Sequence, residues 1–190
     1  MIYEALNCLV DEMNEHFRSR LKLNEQKVIL SSLISQDGTV AIQGENKIVV
    51  TLVNIEKESA MSISQKGAMS FSNSAQSVNI NLYVLFSTYF SQGNYAESLR
   101  FLSFVIGYFV NKPVFNHSNT PALDNKIDKL TFEIVDMNPD TVSNLWSSLG
   151  AKYMPSVVYK VRMITFDETF AREFRPSISG ILDEKLLKNE

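Results

Sequence analysis

Metal, thiol or acid–base chemistry in this sequence would have to be built from two histidines, one cysteine and scattered carboxylates. A protein zinc site takes three or four Cys, His or carboxylate ligands at characteristic spacing. His16 lies in a helical stretch and His117 in an Asn- and Ser-rich loop, and neither belongs to such a cluster. Cys8 is the only cysteine, which excludes an internal disulfide, and its neighbours Glu4, Asp11 and Glu15 offer nothing that would favour a thiolate. On a helical wheel it falls opposite the apolar stripe, which predicts an accessible thiol suited to a reducing cytosol. The carboxylates occur singly or in groups such as Glu56-Lys57-Glu58 and Asp183-Glu184, the pattern of a solvated surface. No nucleophile elbow, phosphate-binding loop or dinucleotide fingerprint is present. No catalytic, cofactor-binding or metal-binding residue is therefore assigned, and the expectation is a protein that is not an enzyme and needs no cofactor.

Composition narrows the partners. The chain has 190 residues, one good-sized domain, and its 45% hydrophobic and 21% charged content is that of a globular protein. Lys and Arg number 18 against 21 Asp and Glu, a formal charge of −3 with no basic cluster, which argues against nucleic acid. No apolar run approaches the ~18 residues of a membrane span. The N-terminal MIYEALNCLVDEMNEHF is acidic and amphipathic, unlike a signal peptide, so synthesis and folding in the cytoplasm are expected.

The elements that would position any site follow from periodicity. Ile2, Leu6, Leu9, Met13 and Phe17 line one face of a helix over about 2–21. Strands are predicted over 27–33 and 47–56, with 40–42 as a short strand or edge. The second of these is β-branched and apolar on both faces, as in a central strand. Residues 57–77 hold seven serines and few large apolar residues, which predicts a long loop or projecting hairpin. In the next strand Val78, Ile80, Leu82, Val84 and Phe86 alternate with Asn79, Asn81, Tyr83, Leu85 and Ser87. One face is core; the uncharged amide and phenol face suits either solvent or a protein contact.

Asn94, with Glu97 three residues on, reads as a capping box for a helix over 95–110. Leu99, Leu102, Ile106 and Phe109 are its expected core stripe, Phe101, Val105 and Tyr108 broaden it, and Phe104 falls on a third side. A helix apolar most of the way round is buried from more than one direction, by its own core or by a second subunit. Lys129–Val135 is another strand. Asn138-Pro139 starts a helix carrying Val142, Leu145, Trp146 and Leu149, and Gly150 ends it. The last strand, 156–165, sets Val157, Tyr159, Val161 and Met163 on one face and Lys160 and Arg162 on the other; Trp146 is expected in the core with that apolar row. The basic pair, with Lys152, is either solvated or a contact for acidic residues of another subunit. The fold class is α+β: a mixed sheet of about five to six strands with three helices mainly on one face. Residues 1–170 form the expected single domain and 171–190 a tail or arm.

Four stretches carry a resemblance: MIYEALNCLVDEMN (1–14), IQGENKIVVTLVNIEKE (42–58), INLYVLFSTYF to YAESLRFLSFVIGYFVNKPVF (80–115) and LWSSLGAKYMPSVVYKVR (145–162). In order and spacing they resemble the N-terminal domain family of cap, or tube-terminator, proteins of phage-tail-like contractile injection systems, of the Photorhabdus virulence cassette and antifeeding-prophage type. The resemblance implies a tail-terminator-like fold and a ring, six-fold like the tube and sheath beneath it. That ring would cap the distal end of the particle, stop tube growth and anchor the last sheath layer. It implies tube and sheath proteins and the chain itself as partners, and no catalytic residues. A cyclic ring needs two different complementary patches per subunit. The candidates are Asn79, Asn81 and Tyr83 on the strand, Phe104 and Tyr108 on the helix, Lys160 and Arg162, and the 57–77 loop. The alternative is an adaptor that docks cargo or another component on the particle without forming the ring.

Overall fold

A computed structural model describes residues 1–22, 24–58 and 79–165. The serine-rich segment, apart from Lys57 and Glu58, and the tail at 171–190 lie outside the described residues. Helix α1 (Ile2–Leu21) is followed by strands β1 (Val28–Leu30), β2 (Lys47–Lys57) and β3 (Asn79–Tyr89). Helix α2 (Tyr95–Asn111) leads to β4 (Val114–Asn116) and β5 (Ile127–Ile134), and α3 (Pro139–Ser148) precedes β6 (Ser156–Thr165). The six strands form one sheet in the order β1-β2-β3-β6-β5-β4. Only β1 and β2 run parallel; every other neighbouring pair is antiparallel. The class is α+β with a mixed sheet, as the alternation patterns predict.

The two faces of this sheet have separate cores. Leu9, Met13 and Phe17 of α1 and Phe101, Val105 and Phe109 of α2 pack on Ile48, Val50, Leu82, Val84, Phe86, Tyr159 and Val161. The opposite face carries a smaller cluster in which Trp146 of α3 packs with Val49, Leu85 and Val158. Trp146 is thus core as expected, but not with Val157, Tyr159 and Val161. Those three point to the α1/α2 side, and the strand's period of two puts Val158 on the tryptophan's side.

Local signals explain most boundaries. Asn138 caps α3 by accepting from Thr141 N at 2.8 Å, Pro139 begins the helix, and Gly150 at φ +64° follows its end. Asn94 does not cap α2 with its side chain. Residues 92–94 form a 3-10 turn, and the Asn94 carboxamide donates instead to Ser91 Oγ (2.9 Å) and Asn46 Oδ1 (3.3 Å). Residues 40–42 form no strand; Val40 makes only an isolated bridge to Ile34.

Both edges of the sheet are closed by an asparagine. On β1, Asn14 Oδ1 accepts from Lys27 N (3.0 Å) and Val28 N (2.9 Å) while Asn14 Nδ2 donates to Val28 O (2.8 Å). On β4, Asn119 Oδ1 accepts from Asn116 N (3.0 Å) and Asn119 Nδ2 donates to Val114 O (2.9 Å). Each carboxamide takes the place of a neighbouring strand residue, so neither edge offers these groups to another chain.

Candidate interaction surfaces

Five of the residues expected at subunit contacts come together on one face. In the β3–β6 ladder Asn81 lies opposite Arg162 and Tyr83 opposite Lys160, with Asn79 opposite Ile164. All five sit on the side of the sheet away from α1 and α2. The surface they make is already partly satisfied within the chain. Tyr83 donates its hydroxyl to Glu56 Oε2 at 2.8 Å, a bond that, with burial, raises the tyrosine's pKa. Arg162 Nε sits 2.8 Å from Glu58 Oε1, an ion pair whose carboxylate side chain is 6% exposed and whose N–H is not aligned for a hydrogen bond. Lys160 is flanked across the ladder by Glu133 as well as Tyr83. Asn81 is only 5% exposed. The basic strip therefore has acidic partners inside its own subunit.

Phe104 and Tyr108 lie apart from that group, on α2. Phe104 is 41% exposed, whereas Tyr108 is enclosed, edge-on to His16 at 4.9 Å. Burial first, then Glu12 and Cys8, raise the Tyr108 pKa, and among the described residues its hydroxyl has no hydrogen-bond partner.

The inward phase of α2 differs from the expected one. Phe101, Val105, Tyr108 and Phe109 point at the sheet because the space there is filled by rings: Phe109 lies 4.5 Å from both Phe132 and Tyr159 and 5.2 Å from Phe86. Leu99 and Ile106, expected in the core, turn outward with Tyr95 and Val110. Their exposures, 60% for Tyr95, 42% for Leu99, 36% for Ile106 and 75% for Val110, make an apolar ridge along the outside of the helix. Leu102 lies half-buried between the ridge and the core. The only charged residues along α2 itself are Glu97 and Arg100.

On the opposite face of the sheet, α3 and the turn after it border an open groove of about 530 Å3. Met137, Pro139, Val142, Trp146, Ala151 and Tyr153 form its apolar wall, with Ser143 and Ser147 between them. Trp146 is 4% exposed, and among the described residues its indole N–H has no acceptor. Tyr153, 67% exposed, packs edge-on to the indole at 5.7 Å. Neither ridge nor groove was visible as such in the sequence. The 4-3-4-4 spacing of residues 95, 99, 102, 106 and 110 is the one signal that pointed to the ridge.

A third surface is acidic. Glu4, Asp11, Glu12, Glu15 and Asp124 border a depression of about 410 Å3 between α1 and the loop before β5. Cys8 also borders it, yet is only 8% exposed rather than accessible, because that loop covers the helix flank opposite the main stripe. Burial, then Glu12 and Asp11, raise the thiol pKa, the reverse of an activated nucleophile. Lys112 answers part of the charge, bonding Glu12 Oε2 at 2.6 Å. Among the described residues no group of three or more His, Cys, Asp and Glu is arranged to hold a metal ion. No described helix is long and apolar enough to cross a membrane.

The family model described as the Pvc16 N-terminal domain matches residues 4–180. The sheath/tube terminator of the PVC extracellular contractile injection system, solved in its extended state, has a similar fold, with TM-score 0.56 at 14% identity. That match covers 89% of this chain and 57% of the terminator. The tube-terminating cap of the anti-feeding prophage is similar with TM-score 0.51 at 19% identity, over 84% of this chain and 54% of the cap. The chain thus spans little more than half the length of either solved protein. No curated protein matches it significantly in sequence.

Proposed function

We propose, because this chain belongs to the Pvc16 N-terminal domain family, that it is a structural part of the cap of a contractile injection particle. It sits at the end of the inner tube and sheath distal to the baseplate, ends tube growth and anchors the last sheath layer. Several copies form a ring, six-fold to match the tube, and the chain is made in the cytoplasm before joining the particle. Its work is architectural and needs neither cofactor nor catalytic residue. The observation that carries this reading is the family match over nearly the whole chain, supported by a fold like that of two tube terminators.

The residues expected at subunit contacts divide under this reading. Phe104 is open to a neighbour, and Asn79, Tyr83, Lys160 and Arg162 are half-buried at the surface of the sheet. Asn81 and Tyr108, both enclosed, contribute by shaping the subunit. Residues 1–170 are the part proposed to dock; the tail at 171–190 lies outside the described residues.

Electron microscopy of particles assembled without the protein tests the cap. Tubes of irregular length, or tubes whose last sheath layers are missing, are the expected result. Particles of normal length and sheathing that lack cargo would instead mark the chain as an adaptor.

A further inference from the structure

The β1–β2 side of the sheet is closed only part of the way along. Strand β2 spans eleven residues, Lys47–Lys57, but β1 pairs only with Ile48, Val49 and Val50. Asn14 covers Val28, and the last contacts of this row are Ser31 N to Val50 O at 3.1 Å and Thr51 Oγ1 to Ser31 O at 2.7 Å. From Leu52 onward the described residues place no strand beside β2. Glu58 N donates to Asn79 O, so by antiparallel alternation Asn54, Glu56 and Glu58 bond to β3. Ile55 and Lys57 then turn their N–H and C=O groups to the outer edge, where no described residue meets them. A strand edge with free main-chain groups is a template for another strand.

We infer that this edge, Leu52 to Lys57, takes as an added strand an extended segment of a different protein that alternates apolar and basic side chains. The free groups fix the partner as main chain, since an extended backbone matches donors and acceptors at this spacing. The bulge between Leu52 and Asn54 bends the edge and increases its twist. The rigid edge of a second copy, bent the same way, does not lie along it, whereas a single extended segment follows it. Side chains along the edge set the alternation. Leu52 packs on the α1/α2 core, and Ile55, 48% exposed, stands on that side opposite Leu82. Every second residue of the added strand covers these two, which calls for apolar side chains. The residues between lie beside Asn54 and the exposed Glu56 carboxylate, where a lysine or arginine meets an opposite charge. The open stretch is roughly 17 Å long, room for a strand of about five residues. The inference goes beyond the cap reading and holds whether or not the chain ends a tube.

Residue-resolved amide hydrogen exchange on the full chain tests it. In the free chain the amides of Ile55 and Lys57 should exchange fast, while those of Glu56 and Glu58, bonded to β3, stay protected. The probe is an end-blocked peptide alternating valine and lysine, added at low millimolar concentration. It should slow exchange at Ile55 and Lys57 by about tenfold at ~90% occupancy. Ile55→Pro removes an outward N–H and no ladder bond, so that variant should stay folded and bind the peptide at least about tenfold more weakly. Glu56→Lys is the second variant, needed if the proline one does not fold. It should weaken the valine–lysine peptide and favour a valine–glutamate one. Ile55 and Lys57 amides already protected in the free chain would mean that a second copy or residues 166–190 fill the edge, and would overturn the inference. Amides that ignore the peptide, or folded variants that bind it as tightly as the wild type, would overturn it as well.

Discussion

Asn14, on the fourth turn of α1, makes with Val28 both hydrogen bonds that a neighbouring strand residue would make: Val28 N donates to Oδ1 at 2.9 Å, and Nδ2 donates to Val28 O at 2.8 Å. The side chain is 7% exposed, so these bonds are made away from water. One carboxamide thereby fixes the register of helix against sheet and closes the edge of β1. Asn14→Leu keeps the volume but strands the backbone groups of Lys27 and Val28. Each buried group left without a partner costs about 1–3 kcal/mol, so a loss of ~3 kcal/mol in urea unfolding is expected. An unchanged unfolding midpoint would show that the edge is held by packing alone.

Trp146 separates volume from hydrogen bonding on the other face. Trp146→Ala empties the centre of the smaller core and should cost ~3–5 kcal/mol. Trp146→Phe keeps most of the apolar contact and removes only an N–H that has no acceptor among the described residues. Its effect on subunit stability should stay below ~1.5 kcal/mol. Thermal melts of both variants decide this, and a phenylalanine variant as unstable as the alanine one would mean that the indole N–H is bonded.

Tyr108 is the group through which alkaline pH should act. Its hydroxyl is enclosed and has no partner among the described residues, and its pKa is raised, chiefly by burial. In the unfolded chain a tyrosine ionises near pH 10, while the folded one still holds its proton. The folded state binds more protons there, so stability is intact below about pH 10 and falls as pH rises beyond it, by up to ~1.4 kcal/mol per unit for this residue. Tyr159, raised by burial alone, acts in the same direction. Tyr108→Phe should be neutral to slightly stabilising at pH 7 and should flatten the alkaline fall in denaturation midpoints. An unchanged alkaline slope in that variant would assign the effect elsewhere.

How much could be read from the sequence depended on whether a residue's partner was local. The period of two in β3 and β6 and the Asn138-Pro139 start of α3 needed no distant information, and the fold class followed from them. The phase of α2 did need it. Leu99-Leu102-Ile106 and Phe101-Val105-Tyr108 are both apolar helix stripes, and only the rings of Phe86, Phe132 and Tyr159 across the sheet select the second. Cys8 was misplaced for the same reason, because the segment that covers it comes more than a hundred residues later. The groove beside Trp146 is likewise a product of the turn after α3, which no single helical wheel contains.

Arg162 shows how an apparent docking charge can belong to the subunit. It extends from the open face of β6, where alternation alone made it, with Lys160, a contact for a neighbour. In the fold it sits 2.8 Å from a Glu58 carboxylate whose side chain is 6% exposed, while the arginine side chain is 43% exposed. Removing the cation leaves a nearly buried carboxylate without its counter-charge, a loss of ~3–5 kcal/mol when both partners are buried. Water around the half-exposed arginine reduces that, so Arg162→Gln should cost about 1–2 kcal/mol. Lys160→Gln, whose acidic neighbour Glu133 is itself exposed, should change stability by less than ~0.5 kcal/mol. Urea unfolding and light scattering on the same two variants separate the roles. An Arg162→Gln protein that unfolds earlier but self-associates normally is the expected result. One that keeps its stability and loses self-association would return Arg162 to the interface and make Glu58 incidental.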